Sequence, residues 1–179
     1  RADAARNLEA VLTTGARMLA VDAGASMGSI AAAAGVDRRT VYRRFASREE
    51  LLAAVYEARL SAIEGAIADA RLGEAPVAVA LHRYVENIIG VNRVWPVDLA
   101  RMLADEGVRE RRDACVREVE VFLRRAVDEG VLRGDRPEGW AAALLPQLMH
   151  LVARQQPELS PAQAADVVVD TFLHGLGTS

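Results

Sequence analysis

Gly35 constrains this chain more than any other residue. It follows Ile30-Ala31-Ala32-Ala33-Ala34 and precedes Val36-Asp37-Arg38-Arg39. Alanine has the best intrinsic helix propensity, and glycine takes the left-handed backbone that ends a helix at no steric cost. A helix is therefore predicted to stop sharply at Gly35. Val36 supplies an apolar side chain to pin the turn, and Asp37 a carboxylate able to accept from an early amide of a second helix. On that second helix Val41 and Phe45 lie four residues apart on one face, while Arg38, Arg39, Thr40, Tyr42 and Arg43 project elsewhere. Two helices joined by a short Gly-containing turn form a helix-turn-helix, whose second helix offers its N-terminal residues to base edges in the DNA major groove. Arginine forks match guanine edges and phosphates, and Thr or Tyr hydroxyls reach phosphate oxygens.

An ordinary helical hairpin with a solvated charged face would give the same local pattern, and the flanking residues decide between the two. Ser47-Arg48-Glu49-Glu50 is a capping box, followed at once by the apolar positions Leu51, Leu52, Val55 and Tyr56 of a further helix. From Leu8 to Val55 the chain resembles the N-terminal domain of tetracycline-repressor-like (TetR family) transcriptional regulators. The matching features are the amphipathic stretch Leu8 to Leu19, Gly24, Ile30-Ala31-Ala32-Ala33-Ala34-Gly35-Val36, Thr40-Val41-Tyr42-Arg43-Arg44-Phe45 and Ser47-Arg48-Glu49-Glu50-Leu51-Leu52. Asp37 stands where the family usually has Ser, Arg39 where a small residue is common and Arg44 where His is common. Those departures bear on which operator is read, not on the fold.

The resemblance implies an all-α protein of about nine helices: a three-helix DNA-binding head at residues 1–48 and a helical effector-binding and dimerisation domain at 49–179. It implies DNA contacts from Ser26, Met27, Arg38, Arg39, Thr40, Tyr42, Arg43 and Arg48. Among these, Arg39 or Arg43 is expected to read a base, and Thr40, Tyr42 and Arg48 to hold phosphates. The implied partners are operator DNA, a second copy of the chain and an unidentified small-molecule effector, with no cofactor and no membrane.

Charge points the same way. The overall balance is −3, but residues 1–48 hold eight Arg against four acids, a net of +4, leaving the remainder at −7. Nucleic acid would be drawn to the head and repelled by the rest. Every basic residue is Arg, a composition to which the sequence attaches no mechanism. At 179 residues the chain can bury one or two proper cores. No apolar run approaches the ~20 residues of a membrane span. The opening residues Arg1 to Arg6 lack the apolar centre of a secretory signal, so cytoplasmic residence is expected. Cys115, beside Val116 and Val119, is expected to be a small buried hydrophobe.

Downstream, helical periodicity continues and strand alternation is absent. Leu52, Tyr56, Leu60, Ile63 and Ile67 mark a long helix leaving the head, and Gly73-Glu74-Ala75-Pro76 introduces one bearing Val77, Leu81, Tyr84, Val85 and Ile88. After Trp95-Pro96 a short helix is predicted through Leu99, Met102 and Leu103. A long helix then runs from Val108 to Ala126 and ends at Gly130. The next is predicted at about residues 138–153, with Pro146 expected to kink it. Ser160-Pro161-Ala162-Gln163 caps a last helix that is apolar on more than one face. That width predicts a partner subunit covering Leu148, Val168, Phe172 and Leu176, giving a two-fold dimer. Tyr84, Trp95, Met102, Phe122, Trp140 and Met149 are the candidate lining of an apolar effector pocket.

Catalytic patterns are missing. His82, His150 and His174 have no close-set partners at metal-ligand spacing. Asp105-Glu106 and Asp128-Glu129 precede glycines as solvated helix ends do. Gly175-Leu176-Gly177 precedes no helix, so it cannot serve as a phosphate loop. The sequence therefore favours a ligand-responsive DNA-binding regulator, most simply a homodimeric repressor. It leaves open a DNA-binding activator or architectural protein without an effector, or a helical small-molecule-binding domain with vestigial DNA binding.

Overall fold

The computed structural model describes residues 2–97 and 106–176. Among them are eight α-helices and no β-strand: α1 Ala2–Val21, α2 Met27–Ala33, α3 Arg38–Arg44, α4 Arg48–Ala70, α5 Val77–Val94, α6 Glu106–Asp128, α7 Trp140–Gln155 and α8 Pro161–Leu176. The all-α expectation holds. The short helix expected through Leu99, Met102 and Leu103 lies outside the described residues.

The chain forms two compact units, one of Arg1–Ser61 with Val94–Arg109 and one of Ala62–Arg93 with Glu110–Ser179. This division differs from a boundary after residue 48. Leu51, Val55 and Tyr56 of α4 are buried in the same core as Val11 of α1, Ile30 of α2 and Val41 of α3, so the first part of α4 belongs with the head. Gly15 makes the approach of these helices close. A Cβ there would lie 3.4 Å from Val55 and 3.6 Å from Ile30.

The second unit is organised around another core, in which Leu81, Val85 and Ile89 of α5 join Phe122 of α6, Leu145 and Met149 of α7, and Val168 and Phe172 of α8. The predicted capping box forms in full at α8: the Gln163 amide donates to Ser160 Oγ at 3.2 Å and the Ser160 amide to Gln163 Oε1 at 2.9 Å. α7 begins at Trp140, after Gly139, and continues unbroken past Pro146, whose ring is exposed. The helix survives the lost amide there as one element of sixteen residues.

Arginine does much of the fastening in both units. In the head, Arg59 of α4 donates to the carbonyl of Trp95. In the second unit Arg93 donates to the carbonyls of Leu159 at 2.6 Å and Gln156 at 3.0 Å, holding the α7–α8 loop. Arg125 likewise bridges the carbonyls of Leu72 at 2.7 Å and Ala75 at 2.8 Å, between α4 and α5. A planar fork with several donors spans two carbonyls at once, which the single ammonium of lysine cannot do with the same geometry. The all-arginine composition thus has a structural use that the sequence alone does not reveal.

Candidate nucleic-acid interface

The interface is built from the turn between α2 and α3 upward. Gly35 has φ +67°, the left-handed conformation expected of it. The Val36 amide donates to Ala31 O at 3.0 Å and the Gly35 amide to Ala32 O at 3.2 Å, the paired bonds of a Schellman end. Asp37 caps α3 by accepting from the Arg39 amide at 2.7 Å. Val41 and Phe45 are buried in the head core, which turns Arg38, Arg39, Tyr42, Arg43 and Arg44 outward and leaves Thr40 half-buried. Tyr42 is 45% exposed.

Arg38 is not a free cation on this surface. Its guanidinium lies over the Tyr42 ring, 5.2 Å from the centroid, and its Nη2 donates to the Tyr42 hydroxyl at 3.3 Å. It also rests against Gly28 at the start of α2, where a Cβ would come within 3.1 Å of the guanidinium carbon. Arg38 therefore orders Tyr42, whereas Arg39 and Arg43 are exposed on the same helix.

At the start of α2, Ser26 is the N-cap. The Ser29 amide donates to Ser26 Oγ at 3.1 Å, and Ser29 Oγ donates to Ser26 O at 2.8 Å. Both serines are exposed. Met27, an expected DNA contact, is instead buried in the head core, because the face it shares with Ile30 and Ala31 packs inward. Arg48 also departs from expectation. Its Nε donates to Ala25 O at 3.1 Å and its Nη2 to Ala23 O, so it fastens α4 to the α1–α2 turn. Beside it, Ser47 Oγ accepts from the Glu50 amide at 3.2 Å, while Glu50 Oε2 accepts from the amide of Ala46, one residue before the cap. The Glu49 carboxyl is held below its ordinary range by a backbone hydrogen bond and by the Ser47 hydroxyl, as the positive end of a helix favours.

A groove of about 670 Å³ runs between α1 and α3, floored by Leu8, Val11, Val36, Val41 and Phe45 and rimmed by Asn7, Thr40, Arg43 and Arg44. Arg44, which the sequence marks only as a departure from the family pattern, rims this groove, and the exposed Ser29 of α2 was not among the expected contacts. The excess of arginine in residues 1–48 is the signal that could have drawn attention to Arg44.

Comparison with known proteins identifies the arrangement. The model of the family described as bacterial regulatory proteins, tetR family, matches residues 12–55. Across nearly its whole length the chain is similar to the HTH-type transcriptional repressor LfrR of Mycolicibacterium smegmatis: 30% identity over 179 residues, covering 97% of this chain and 92% of the relative. The chain belongs to the tetR family. It is, accordingly, a DNA-binding transcriptional regulator.

Solved structures of transcriptional regulators share its fold. The TetR-like transcriptional regulator LfrR from Mycobacterium smegmatis in complex with proflavine superposes with a TM-score of 0.74 at 28% identity, over 97% of this chain and 98% of that one. The ketosteroid transcriptional regulator KstR2 of Mycobacterium tuberculosis has a TM-score of 0.77 over 94% of each chain at 19% identity, a likeness of fold alone. No helix among the described residues is long and apolar enough to cross a membrane.

The candidate residues of this tetR-family member's second unit are redistributed by the structure. Tyr84, Phe122 and Met149 come together in one core. Trp95 does not join them: α5 ends at Val94, and Trp95 packs against the core of the head. Trp140 is 50% exposed and lines an open groove of about 430 Å³ beside Leu123, Val127 and Leu132, away from Tyr84, Phe122 and Met149. Met102 lies outside the described residues, as does the side chain of Leu176. The expected dimer residues Val168 and Phe172 are 1% and 0% exposed, covered by their own unit, and Leu148 is half-buried against the same core. Besides Trp140, the large apolar side chains that α7 and α8 expose among the described residues are Leu151, at 54%, and Val167, at 46%.

Proposed function

We propose that this chain is a homodimeric repressor that binds an inverted-repeat operator through α3 and is released by a small, largely apolar effector held in the second unit. The observation that carries the reading is the exposed face of α3. Arg39 and Arg43 extend from a helix anchored by Val41 and Phe45, in the part of the chain with net positive charge. Arg39 or Arg43 reads a base, with guanine the natural match for an arginine fork. Thr40, Tyr42 and Ser26 contact phosphates, and Arg48 acts by holding the α1–α2 turn.

Dimerisation through α7 and α8 is supported by the exposed Leu151 and Val167, which replace Val168 and Phe172 as the residues facing a partner. A two-fold protein reads a two-fold site. The effector is supported by the relative described as a repressor and by the LfrR structure that contains proflavine. In this reading the protein resides in the cytoplasm with its DNA and performs no chemistry on its ligand.

Selection of bound duplexes from a random pool, followed by titration of proflavine into the selected complex, tests the whole reading. The expected result is an inverted repeat whose complex loses affinity 5- to 150-fold when the effector site fills, the range of a ~1–3 kcal/mol coupling. Enrichment of no sequence, or of one lacking dyad symmetry, contradicts it.

A further inference from the structure

The groove of about 670 Å³ between α1 and α3 lies wholly within the head, and its volume falls in the range of roughly 300–1,000 Å³ usual for small-molecule sites. Its floor of Leu8, Val11, Val36, Val41 and Phe45 is apolar throughout. Ala4 and Ala5 of α1, both exposed, leave its mouth open because their side chains are small.

The charge around it is of one sign. Arg43 and Arg44, neighbours at the end of α3, are both exposed, and neither has a carboxylate partner among the described residues. No Asp or Glu is among the residues lining the groove. Of the acids that neighbour it in sequence, Asp3 pairs with Arg6, Asp37 accepts from the Arg39 amide, and Glu9 is exposed outside the lining.

Two unanswered guanidinium groups beside an apolar trough fit one kind of small molecule. A carboxylate takes charge-assisted hydrogen bonds from guanidinium forks, and a hydrocarbon tail attached to it leaves water by lying on the floor. A cation is repelled, an uncharged amphiphile leaves the arginines unanswered, and a short anion leaves the floor wet. The groove follows α1 from Ala4 to Val11, about 10 Å of helix rise, which suits a medium-length acyl chain.

We propose that this groove is a small-molecule site in its own right, taking a single-chain anionic amphiphile of the fatty-carboxylate class, with its head on Arg43 and Arg44 and its tail on Leu8, Val36 and Phe45. The bound anion occupies cations on the exposed side of α3, so ligand and operator exclude each other directly, with no signal from the second unit. That exclusion rests on the reading that Arg43 meets DNA. The site itself does not.

Decanoate below its aggregation threshold is the probe, with decanol, decyltrimethylammonium and acetate as neutral, cationic and tailless controls, on the whole chain and two variants. Arg43→Gln/Arg44→Gln removes the partners of the head, and Ala5→Glu brings a carboxylate to the groove at a helical position that glutamate suits. All three positions are exposed, so neither variant removes core packing. Calorimetric titration without DNA is expected to show decanoate binding the wild type more tightly than any control and losing about tenfold or more in each variant, the size of a lost bond to a charged group. Decanol should be indifferent to the arginine substitutions. No decanoate binding, equal decanoate affinity in wild type and variants, or decanol binding as well as decanoate overturns the site.

Exclusion is read separately, by titrating decanoate into the wild-type complex with the selected duplex. Direct competition is expected to lower the apparent DNA affinity in proportion to decanoate concentration without levelling off, whereas an effector acting from the second unit reaches a plateau at a finite factor. A plateau overturns the exclusion. If decanoate binds with the expected dependence on Arg43, Arg44 and Ala5 yet leaves the duplex bound, the site stands and the DNA-contacting role of Arg43 falls.

Discussion

The guanidinium of Arg48 donates through Nε to the backbone carbonyl of Ala25, 23 residues earlier, at 3.1 Å, and through Nη2 to Ala23. One side chain at the start of α4 therefore holds the turn that delivers Ser26 to its capping position on α2. Removing it leaves two carbonyls without this donor. Arg48→Ala is expected to lower unfolding stability by about 1–3 kcal/mol and to weaken all DNA sequences alike through misplacement of α2. Arg48→Lys should recover part of the loss. Equilibrium urea denaturation checks this. Unchanged stability together with a salt slope reduced by about one would return Arg48 to the role of phosphate contact.

Gly35 offers a test of the turn itself. No atom lies within 4 Å of the position a Cβ would take, so substitution there meets no clash and tests the +67° backbone alone. Gly35→Ala should cost about 1 kcal/mol or more, and Gly35→Asn less, because asparagine tolerates the left-handed region. Denaturation midpoints of the two variants give the comparison.

Phe172 and Leu151 separate core from interface. Phe172 is fully buried within its own unit, so Phe172→Ala should destabilise the fold by roughly 3–5 kcal/mol. Leu151→Glu and Val167→Glu should leave the secondary structure intact and shift the sedimentation behaviour from dimer to monomer. A monomer that retains tight, two-fold operator binding would contradict the assignment of that interface.

These cases also mark what the sequence could disclose. The stop at Gly35, the cap from Asp37, the buried pair Val41 and Phe45 and the reciprocal Ser160–Gln163 box all depend on residues within a few positions of one another. Local propensity and hydrogen bonding decide them, and they were legible. The destination of Arg48 depends on carbonyls 23 and 25 residues away, and that of Trp95 on Arg59, 36 residues away. Nothing in local spacing encodes such choices. For α8 the apolar width was legible, but which part of it faces inward is settled by packing against α7 and the rest of the second unit. Val168 and Phe172 went inside and Val167 stayed out.

Glu64 and Arg111 make a prediction about acidity. The hydrogen bonds from Arg111 hold the Glu64 carboxyl below its ordinary range, so the folded state binds that proton less readily than the unfolded chain does. The stabilisation is therefore present above the unfolded carboxylate pKa and is lost as pH falls through the lower, folded value. Both side chains are more than a third exposed, which limits the pair to about 1 kcal/mol or less. Arg111→Met should lower the melting temperature slightly at neutral pH, with the difference from wild type closing on acidification. A difference that persists in acid would assign the effect to lost packing of the arginine stem.

The most direct test of the account is the anisotropy of wild-type protein, Arg39→Ala and Arg43→Ala on the selected duplex and on a scrambled one, at two salt concentrations. The wild type should prefer the selected duplex by about a thousandfold or more and lose affinity steeply with salt. At least one variant should lose about 1–3 kcal/mol of discrimination at a single base position while keeping the others. Equal wild-type affinity for the two duplexes, or variants that bind both as the wild type does, would contradict a sequence-reading role for α3.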